Sequence, residues 1–333
     1  MANAIRTDRA RPGNASVKIE RLGQHLGAEI HGVDLSHPLS GASLRVITEA
    51  FVKHEVLVFR DQPLTREQYV ALGQRFGELT VHPFATSLPD LPELIVLDND
   101  GDRPPLSTDQ WHSDEMFREE PPLATVLRAI IIPEIGGDTL FASMTAAYDG
   151  LHPRLQDFYS TLEAVNDFKV FRQLYSNNRK DREHLLDMEN MFPNMTHPVV
   201  RVHPVSRKRA IYVSPQTTKY IKGVRDFESD FILAMLYQLP ELPEYQLRVR
   251  WEPNMIVMWD NRSTQHYAPR DYLPARRQME RLTVKGDRPL GVDGKRGIKP
   301  VEMNIRGTGR AEKTGRHRKG LARPANTSLK KVR

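Results

Sequence analysis

The 333-residue chain contains no cysteine. Disulfide bonds, zinc–thiolate centres, iron–sulfur clusters and thiol nucleophiles are therefore excluded, because each of them needs cysteine sulfur. A metal bound by side chains would have to be held by the other strong ligands, namely His, Asp and Glu.

The chain also lacks a long apolar run. No segment approaches the roughly 18 apolar residues that a membrane span needs, and residues 1–6 lack the apolar region of a secretory signal. We therefore expect a cytoplasmic protein that makes no membrane contact. Apolar residues make up 39% of the chain, which is enough for the core of one large domain or two small ones.

Positive charge is concentrated at the two ends, although the net charge of +6 at first suggests a protein that binds nucleic acid. Residues 291–333 contain thirteen Lys and Arg against three acidic residues, and residues 1–14 add a net charge of +2. Residues 15–290 therefore carry a net charge of −6, so we expect no specific nucleic-acid binding. Both ends are predicted to be disordered, with non-specific contact with polyanions as the alternative for the C-terminal tail.

Residues 15–290 are predicted to form one domain of many short strands with a few flanking helices. Runs such as Val56-Leu57-Val58-Phe59 indicate strands, and no regular alternation of strand and helix is visible. A mainly β core of this kind favours a jelly roll, whose facing sheets leave one open end where ligands from distant strands can meet. Residues 166–195, dense in charge and without sustained periodicity, are predicted to be an irregular insertion that serves as a mobile lid.

A candidate metal site begins at Trp111-His112-Ser113-Asp114. In an extended segment His112 and Asp114 point to the same side, because side chains alternate with a period of two. A third ligand would complete two histidines and one carboxylate, the set typical of non-haem Fe(II) oxygenases, and His266 is the candidate. An H-x-D pair alone also occurs by chance, so a packed structural histidine is the alternative.

Two arginines follow His266 at spacings that indicate an anion-binding group. Arg277 lies eleven residues after His266, and Arg281 lies four residues further on. On two strands joined by a turn, this spacing can bring a guanidinium back beside the metal ligand. Arginine binds a carboxylate in a bidentate fashion and keeps its charge.

Together with four further motifs, these residues resemble the Fe(II)/2-oxoglutarate-dependent dioxygenases of the taurine dioxygenase (TauD/TfdA) type, which include alkylsulfatases and phenoxyalkanoate-herbicide dioxygenases. The motifs are Phe76-Gly77-Glu78-Leu79, Gly136-Gly137-Asp138-Thr139, His197-Pro198-Val199-Val200-Arg201 and Trp259-Asp260-Asn261-Arg262. The resemblance extends over residues 17–289. It implies a double-stranded β-helix, which is a cupin-like jelly roll, and a homo-oligomer, because relatives are commonly dimers or tetramers.

The resemblance also implies how the chain binds its cofactors. His112, Asp114 and His266 would bind Fe(II), and Thr139 and Arg277 would hold the distal carboxylate of 2-oxoglutarate. The co-substrates would be 2-oxoglutarate and O2, and the enzyme would be an oxidoreductase.

For the substrate, the resemblance implies a small organic anion held by His82 and Arg281 and by the backbone N–H of Glu115. The alternatives are that Arg281 pairs with an acidic neighbour and that His82 is an ordinary loop residue. Ala85 and Thr108 stand where the taurine enzyme places an aromatic residue and an amide, which disfavours taurine itself. A wider pocket would suit an alkyl or aryl group. Four aromatic residues are candidates for its lining, with core packing as the alternative for each: Phe84, Phe117, Phe168 and Phe171.

The expected reaction is hydroxylation of an alkyl sulfonate or sulfate ester next to the heteroatom. The product is cleaved, and succinate and CO2 are formed from 2-oxoglutarate. An aryloxyalkanoate dioxygenase is the alternative within this class. A non-catalytic, cupin-like metal-binding protein is the alternative from a different class.

Overall fold

The computed structural model describes residues 17–85, 87–175 and 178–296. The predicted N-terminal arm, residues 1–14, and residues 297–333 of the predicted tail lie outside the described residues. All described residues fall within one compact unit. Within these residues, no helix combines the length and the apolar character that a membrane span requires.

Seventeen strands and six α-helices make up the described part of the chain, so the predicted mainly β class with flanking helices is confirmed. The strands are β1 (Lys18–Arg21), β2 (Ala28–His31), β3 (Val56–Phe59), β4 (Ser87–Leu88), β5 (Leu91–Asn99), β6 (Ala124–Ile131), β7 (Thr139–Ser143), β8 (Glu163–Asn166), β9 (Met195–Pro198), β10 (Val200–Val202), β11 (Arg209–Ile211), β12 (Thr218–Ile221), β13 (Gln246–Val249), β14 (Ile256–Asp260), β15 (Thr264–Tyr267), β16 (Arg277–Val284) and β17 (Leu290–Gly291). The α-helices are α1 (Gly41–His54), α2 (Arg66–Gln74), α3 (Met144–Asp149), α4 (Pro153–Ser160), α5 (Arg179–Met191) and α6 (Asp226–Gln238), and short 3-10 helices cover Lys169–Leu174, Leu239–Glu241 and Pro243–Tyr245.

The largest sheet has eight strands in the order β1-β2-β3-β14-β6-β16-β5-β4, and all of its pairs are antiparallel except β2 with β3. Three smaller sheets have the orders β13-β7-β15, β12-β8-β9 and β11-β10-β17. The strands that carry the predicted site residues therefore belong to two sheets. Strands β7 and β15 lie in a small sheet, whereas β16 lies in the large one.

These two sheets pack against each other through a shared apolar cluster. Phe141 and Val249 of the small sheet join Val257, Trp259 and Met279 of the large sheet in this cluster, and all five side chains are buried. The rings of Phe141 and Trp259 lie 5.3 Å apart between centroids. Each ring removes a large apolar area from water, which stabilises the contact. The packing therefore brings strands β7, β15 and β16 close together although they are distant in sequence.

Helix α2 anchors strand β16 from the outer side of the large sheet. It begins with a capping box, in which the Thr65 hydroxyl accepts from the Gln68 N–H and the Gln68 side chain accepts from the Thr65 N–H. Its buried Tyr69 hydroxyl donates to the Val126 carbonyl at 2.7 Å and contacts the Glu280 carbonyl at 3.0 Å. This helix therefore helps to fix the strand that carries Arg277 and Arg281.

Residues 166–195 are more regular than predicted. Between strands β8 and β9 they form a 3-10 helix and the thirteen-residue helix α5, with residues 176–177 outside the described part. Met188 of α5 packs with Phe117 and Phe168, so one apolar stripe holds this charged helix against the domain. The prediction of an irregular segment is wrong for α5, because its many charged residues obscure that stripe. A lid role stays a prediction.

The ordered fold continues past the predicted domain end at residue 290. Strand β17 pairs with β10, and the Gly291 N–H donates to the Lys295 carbonyl at 2.7 Å. Residues up to 296 therefore belong to the folded unit.

Candidate active site

All eight predicted site residues line one cavity of about 370 Å³ between the large sheet and the β13-β7-β15 sheet. Three are the predicted metal ligands, two are the predicted co-substrate residues and three are the predicted substrate residues. They are His112, Asp114, His266, Thr139, Arg277, His82, Glu115 and Arg281. These residues come from positions 82 to 281 of the chain. Their meeting in one cavity is expected if they act together in one binding site.

The three predicted metal ligands lie together. His112 and His266 form an isolated antiparallel bridge, in which the His112 N–H donates to the His266 carbonyl at 3.0 Å and the reverse bond is 2.8 Å. Asp114 follows in a turn rather than in the extended segment that the sequence predicts. One ligand atom from each side chain lies within 4.8 Å of the other two. The backbone bridge therefore brings the distant third ligand to the H-x-D pair.

Both imidazoles are prepared to act as neutral ligands. Burial lowers the pKa of His112, and burial together with the neighbouring His112 lowers the pKa of His266 to about 3. The Nδ1 of His112 lies 2.7 Å from the Gln110 carbonyl, which can only accept a hydrogen bond. This contact places the proton on Nδ1 and leaves Nε2 of His112 free to bind a cation.

Asp114 is held as a carboxylate by its surroundings. Burial alone would raise the pKa of Asp114, but Arg281 and the two imidazoles outweigh it, so the pKa lies well below its usual range. The Thr125 hydroxyl donates to Asp114 Oδ2 at 2.6 Å, and the Asn261 amide donates to Thr125 Oγ1 at 2.9 Å. The Asp114 N–H also donates to Asn261 Oδ1 at 3.3 Å. Thr125 and Asn261 therefore orient the carboxylate.

The predicted co-substrate residues meet at a tryptophan. Trp251 Nε1 donates to the Thr139 hydroxyl at 2.9 Å, and the Arg277 guanidinium lies 5.9 Å from the Trp251 ring centroid. Arg277 Nε donates to the Gly137 carbonyl at 3.0 Å. Gly137 has φ +72°, and a Cβ there would lie 3.1 Å from Arg277 Cδ, so glycine allows this close approach.

One buried hydrogen-bond donor of Arg277 lacks an acceptor among the described residues. Its Nη2 is buried and has no partner among the described residues, and burial lowers the pKa of Arg277 to about 10. A buried guanidinium without a counter-ion is strongly unfavourable. The arrangement is therefore suited to a carboxylate ligand, which would supply both the charge and the missing acceptors.

The predicted substrate residues lie at another part of the cavity wall. Arg281 Nη2 lies 3.1 Å from Asp114 Oδ1 and 3.4 Å from Glu115 Oε1, and the Glu115 carboxylate lies 3.9 Å from His82 Nε2. Burial lowers the pKa of His82 to about 4, so its imidazole is neutral at pH 7. Arg281 therefore does pair with acidic neighbours, which is the alternative to substrate binding that the sequence leaves open. Its buried Nε, however, has no partner among the described residues.

Mostly apolar residues complete the cavity. Phe84 and Phe171 line it, as do Ala85 and Thr108. By contrast, Phe117 and Phe168 are buried in the apolar cluster beneath α5 and do not line the cavity. Packing is therefore the main role of the latter two.

Sequence reasoning missed several parts of this site. Arg277 does not return to His266 on a paired strand, because β15 and β16 lie in different sheets and meet only through sheet packing. Nothing in the sequence around Thr125 or Trp251 indicates their contacts. Asn261 lies in the Trp259-Asp260-Asn261-Arg262 motif, which is the one sequence signal for its role.

The donor set fits Fe(II). Two neutral imidazoles and one carboxylate carry a net charge of −1 and match the ligands of non-haem iron. Among the described residues, Arg281 is the cation that the buried Asp114 carboxylate contacts. A divalent cation would balance the negative charge of this ligand set, because Arg281 is shared between Asp114 and a second buried acid, Glu115.

Comparisons with known proteins agree with this geometry. The model of the family described as taurine catabolism dioxygenase TauD, TfdA family matches residues 18–283. An alpha-ketoglutarate-dependent sulfate ester dioxygenase from Pseudomonas putida is 34% identical over 85% of this chain and 94% of its own length. An alpha-ketoglutarate-dependent sulfonate dioxygenase from Saccharomyces cerevisiae is 33% identical over 84% of this chain and 70% of its own length. An alpha-ketoglutarate-dependent 2,4-dichlorophenoxyacetate dioxygenase from Cupriavidus pinatubonensis is 29% identical over 82% of this chain and 99% of its own length.

Among solved structures, a taurine dioxygenase from Burkholderia xenovorans superimposes with a TM-score of 0.73 and 34% sequence identity, covering 86% of this chain and 96% of that one. Alpha-ketoglutarate is another name for 2-oxoglutarate, so the expected family and the expected enzyme class, a 2-oxoglutarate-dependent dioxygenase that uses Fe(II), are both confirmed. The chain belongs to the taurine catabolism dioxygenase TauD, TfdA family.

Proposed function

We propose that this protein is an Fe(II)- and 2-oxoglutarate-dependent dioxygenase that hydroxylates an alkyl sulfonate or sulfate ester next to the heteroatom, which leads to cleavage of the substrate. The observation that carries the proposal is the pair of arginines around one His–Asp–His set. Arg277 has an unpartnered buried Nη2, and Arg281 has an unpartnered buried Nε among the described residues. Two anionic ligands, a co-substrate and a substrate, would satisfy these two donors beside one metal.

Five side chains in the cavity would bind the metal and the co-substrate. His112, Asp114 and His266 would hold Fe(II), and Thr139 and Arg277 would bind the distal carboxylate of 2-oxoglutarate. The bound iron and 2-oxoglutarate supply the activation of O2, with succinate and CO2 as co-products. The surrounding side chains orient the ligands and exclude water from the buried set.

His82, Arg281 and the backbone N–H of Glu115 would bind the anionic head group of the substrate. His82 Nδ1 accepts from the Phe84 N–H at 3.1 Å, so its proton lies on Nε2, which can donate towards an oxyanion. The alkyl group would occupy the apolar part of the cavity beside Phe84 and Phe171. Sulfate ester and sulfonate relatives at 34% and 33% identity support this substrate class.

An aryloxyalkanoate dioxygenase is the second candidate. It would need the same anion-binding residues and a broader apolar pocket. The stacked rings of Phe84 and Phe171, 4.7 Å apart between centroids, offer a flat surface for an aryl group.

We also propose that residues 15–290, continued to residue 296 by β17 and the turn after it, form the catalytic domain with a double-stranded β-helix fold, and that the protein is a cytoplasmic homo-oligomer. The packing of the β13-β7-β15 sheet on the eight-stranded sheet supports the jelly-roll assignment.

A substrate panel tests the proposal. The iron-loaded protein is given 2-oxoglutarate, O2 and one compound from a panel of alkyl sulfonates, alkyl sulfates and aryloxy acids, and succinate is measured together with released sulfite, sulfate or phenol. We expect substrate-dependent succinate with matching release of sulfite or sulfate. Release of phenol alone would favour the second candidate, and no succinate with any compound would contradict both.

The anion-binding role of Arg281 has its own test. Arg281→Ala should raise KM for the active substrate, whereas Lys285→Ala removes a half-exposed cation that pairs with Glu78 and serves as the control. An unchanged KM in Arg281→Ala would show that this residue does not bind the substrate.

A further inference from the structure

A carboxylate lies within the end of the cavity that is proposed to bind an anion. Glu115 Oε1 lies 3.4 Å from Arg281 Nη2 and 3.9 Å from His82 Nε2, and Glu115 lines the cavity with both. Only the backbone N–H of this residue is needed to bind an oxyanion. The acidic side chain is therefore an additional feature, and it takes up part of the charge of Arg281.

The Glu115 side chain is fixed in this place. Its side chain is 1% exposed, and its backbone has φ +50°, which few residues other than glycine adopt. Arg118 Nε donates to Glu115 Oε2 at 2.5 Å, while Arg118 Nη2 donates to the Val81 carbonyl at 2.9 Å. The Arg118 guanidinium also lies 5.4 Å from the Phe192 ring centroid. A substrate would therefore meet Glu115 in position rather than displace it.

The charges at this end of the cavity are nearly balanced without a substrate. Arg277 and Arg281 are the two cationic side chains among the described residues that line the cavity, and Arg277 lies at the Thr139 and Trp251 wall. Arg281 already contacts two carboxylates, Asp114 and Glu115. The buried Nε of Arg281 has no partner among the described residues.

We propose that the Glu115 carboxylate determines substrate specificity by admitting oxyanions with one negative charge and rejecting those with two. The inference rests on the proposed function, because it concerns the head group bound by His82 and Arg281. A sulfonate or sulfate ester carries one charge, whereas a phosphate monoester of the same tetrahedral shape carries close to two above its second pKa of about 6. The second charge would lie beside the buried Glu115 carboxylate, and Arg281 is the one cation among the described residues that lines this end of the cavity, because Arg118 pairs with Glu115 from outside the cavity lining. This is discrimination by repulsion, in which one group is placed against the wrong ligand.

Calorimetric titration tests the proposal under anaerobic conditions. The protein loaded with Fe(II) and 2-oxoglutarate is titrated at pH 8 with an alkyl sulfate and with the alkyl phosphate monoester of the same chain. In the unmodified protein the sulfate should bind more tightly. In Glu115→Gln the ratio of the two dissociation constants should shift towards the phosphate by at least about tenfold, because like charges held together cost several kcal/mol.

Glu119→Gln is the matched control. It removes one negative charge four residues further along the chain, where Glu119 pairs with Arg288 and does not line the cavity. The ratio should not change in this variant. An unchanged ratio in Glu115→Gln would overturn the proposal.

A second measurement needs no variant. In the unmodified protein, the methyl diester of the same alkyl phosphate has one charge and should bind at least about tenfold more tightly than the monoester. Equal affinities would overturn the proposal even if Glu115→Gln fails to fold. If neither the alkyl sulfate nor the corresponding sulfonate binds, the proposed substrate class itself is wrong, which is a different result from loss of charge discrimination.

Discussion

Two clusters of buried charge differ in whether their members satisfy one another. The Asp260 cluster consists of Asp260, Arg262 and His203, which are all buried. Asp260 Oδ1 accepts from Arg262 Nε at 2.8 Å, and Oδ2 accepts from Arg262 Nη2 at 2.6 Å and contacts His203 Nε2 at 3.0 Å. In the cavity, by contrast, Arg277 and Arg281 both keep buried nitrogens without a partner among the described residues.

The difference separates a structural role from a binding role. Burying a charge is costly unless a partner compensates it. Burial alone would raise the pKa of Asp260, but Arg262 and His203 hold it well below its usual range, so this cluster is complete and stabilises the turn between β14 and β15. In Arg277 and Arg281, by contrast, buried nitrogens lack hydrogen-bond partners among the described residues, and ligands bound in the cavity would supply those partners.

The largest effect should come from breaking the complete cluster. Arg262→Met leaves the Asp260 carboxylate buried without its cation, so the free energy of unfolding should fall by about 3–5 kcal/mol. Urea unfolding measures this change. In the control Arg225→Met, which loses an exposed pair with Glu228, the change should be at most about 1 kcal/mol. A similarly small loss in Arg262→Met would contradict the structural role of the cluster.

Arg277→Met should give the opposite pattern. The affinity for 2-oxoglutarate should fall by roughly 10- to 150-fold, since a hydrogen bond to a charged group contributes about 1.5–3 kcal/mol. The free energy of unfolding without ligand should stay the same or rise, because an uncompensated buried charge is removed. Anaerobic titration and urea unfolding measure the two quantities.

The control for Arg277→Met is Arg276→Met, whose half-exposed side chain pairs with Asp98. It should leave 2-oxoglutarate affinity nearly unchanged. If Arg277→Met destabilises the fold while 2-oxoglutarate binds as before, Arg277 is structural and the comparison between the two clusters fails.

A smaller effect should follow from removing the hydroxyl that orients Asp114. Thr125→Val keeps the shape of the side chain but deletes the 2.6 Å bond to Asp114 Oδ2. Affinity for Fe(II) should fall by about 10- to 100-fold, as is typical when a partner of a metal ligand is lost. Thr80→Val, which deletes a 2.7 Å bond between hydroxyls of Thr80 and Thr283, should not alter iron affinity. Equal iron affinities in the two variants would exclude this role of Thr125.

The smallest effect concerns Glu55, a buried acid outside both clusters. Burial raises its pKa from 4.5 to about 7, and the Thr145 hydroxyl donates to its Oε1 at 2.6 Å. Because the folded-state pKa is the higher one, the protonated form stabilises the fold at low pH, and this stabilisation is lost as pH rises through about 7. Between pH 6 and 8 the loss should be about 1 kcal/mol. Urea unfolding of Glu55→Gln should show a weaker pH dependence, and an unchanged dependence would argue against the raised pKa.

The sequence alone predicts those parts of the site that depend on residue type and spacing. The H-x-D pair, His266, Arg277 and Thr139 are all found in motifs or at informative spacings, and the structure brings them to one cavity. Alternating and continuous apolar runs likewise predict most of the strands.

Other features depend on contacts between distant segments. Thr125 contacts Asp114 because β6 and β14 pair in the large sheet. No local sequence pattern predicts which strands pair. The side-chain position of Glu115 depends on Arg118, on Arg281 and on a left-handed backbone conformation. Helix α5 is not predicted because charged surface residues dominate its composition. Its buried face is visible only in the structure, where Met188 contacts Phe117 and Phe168.

The most direct test of the central claim is optical. Fe(II) and then 2-oxoglutarate are added without oxygen to the unmodified protein, to Asp114→Ala and to the control Asp149→Ala, in which an exposed acid is removed. We predict a visible charge-transfer band in the unmodified protein and in Asp149→Ala, and its loss in Asp114→Ala. If the unmodified protein gives no band, or if Asp114→Ala gives the same band, the cavity is not the iron and 2-oxoglutarate site.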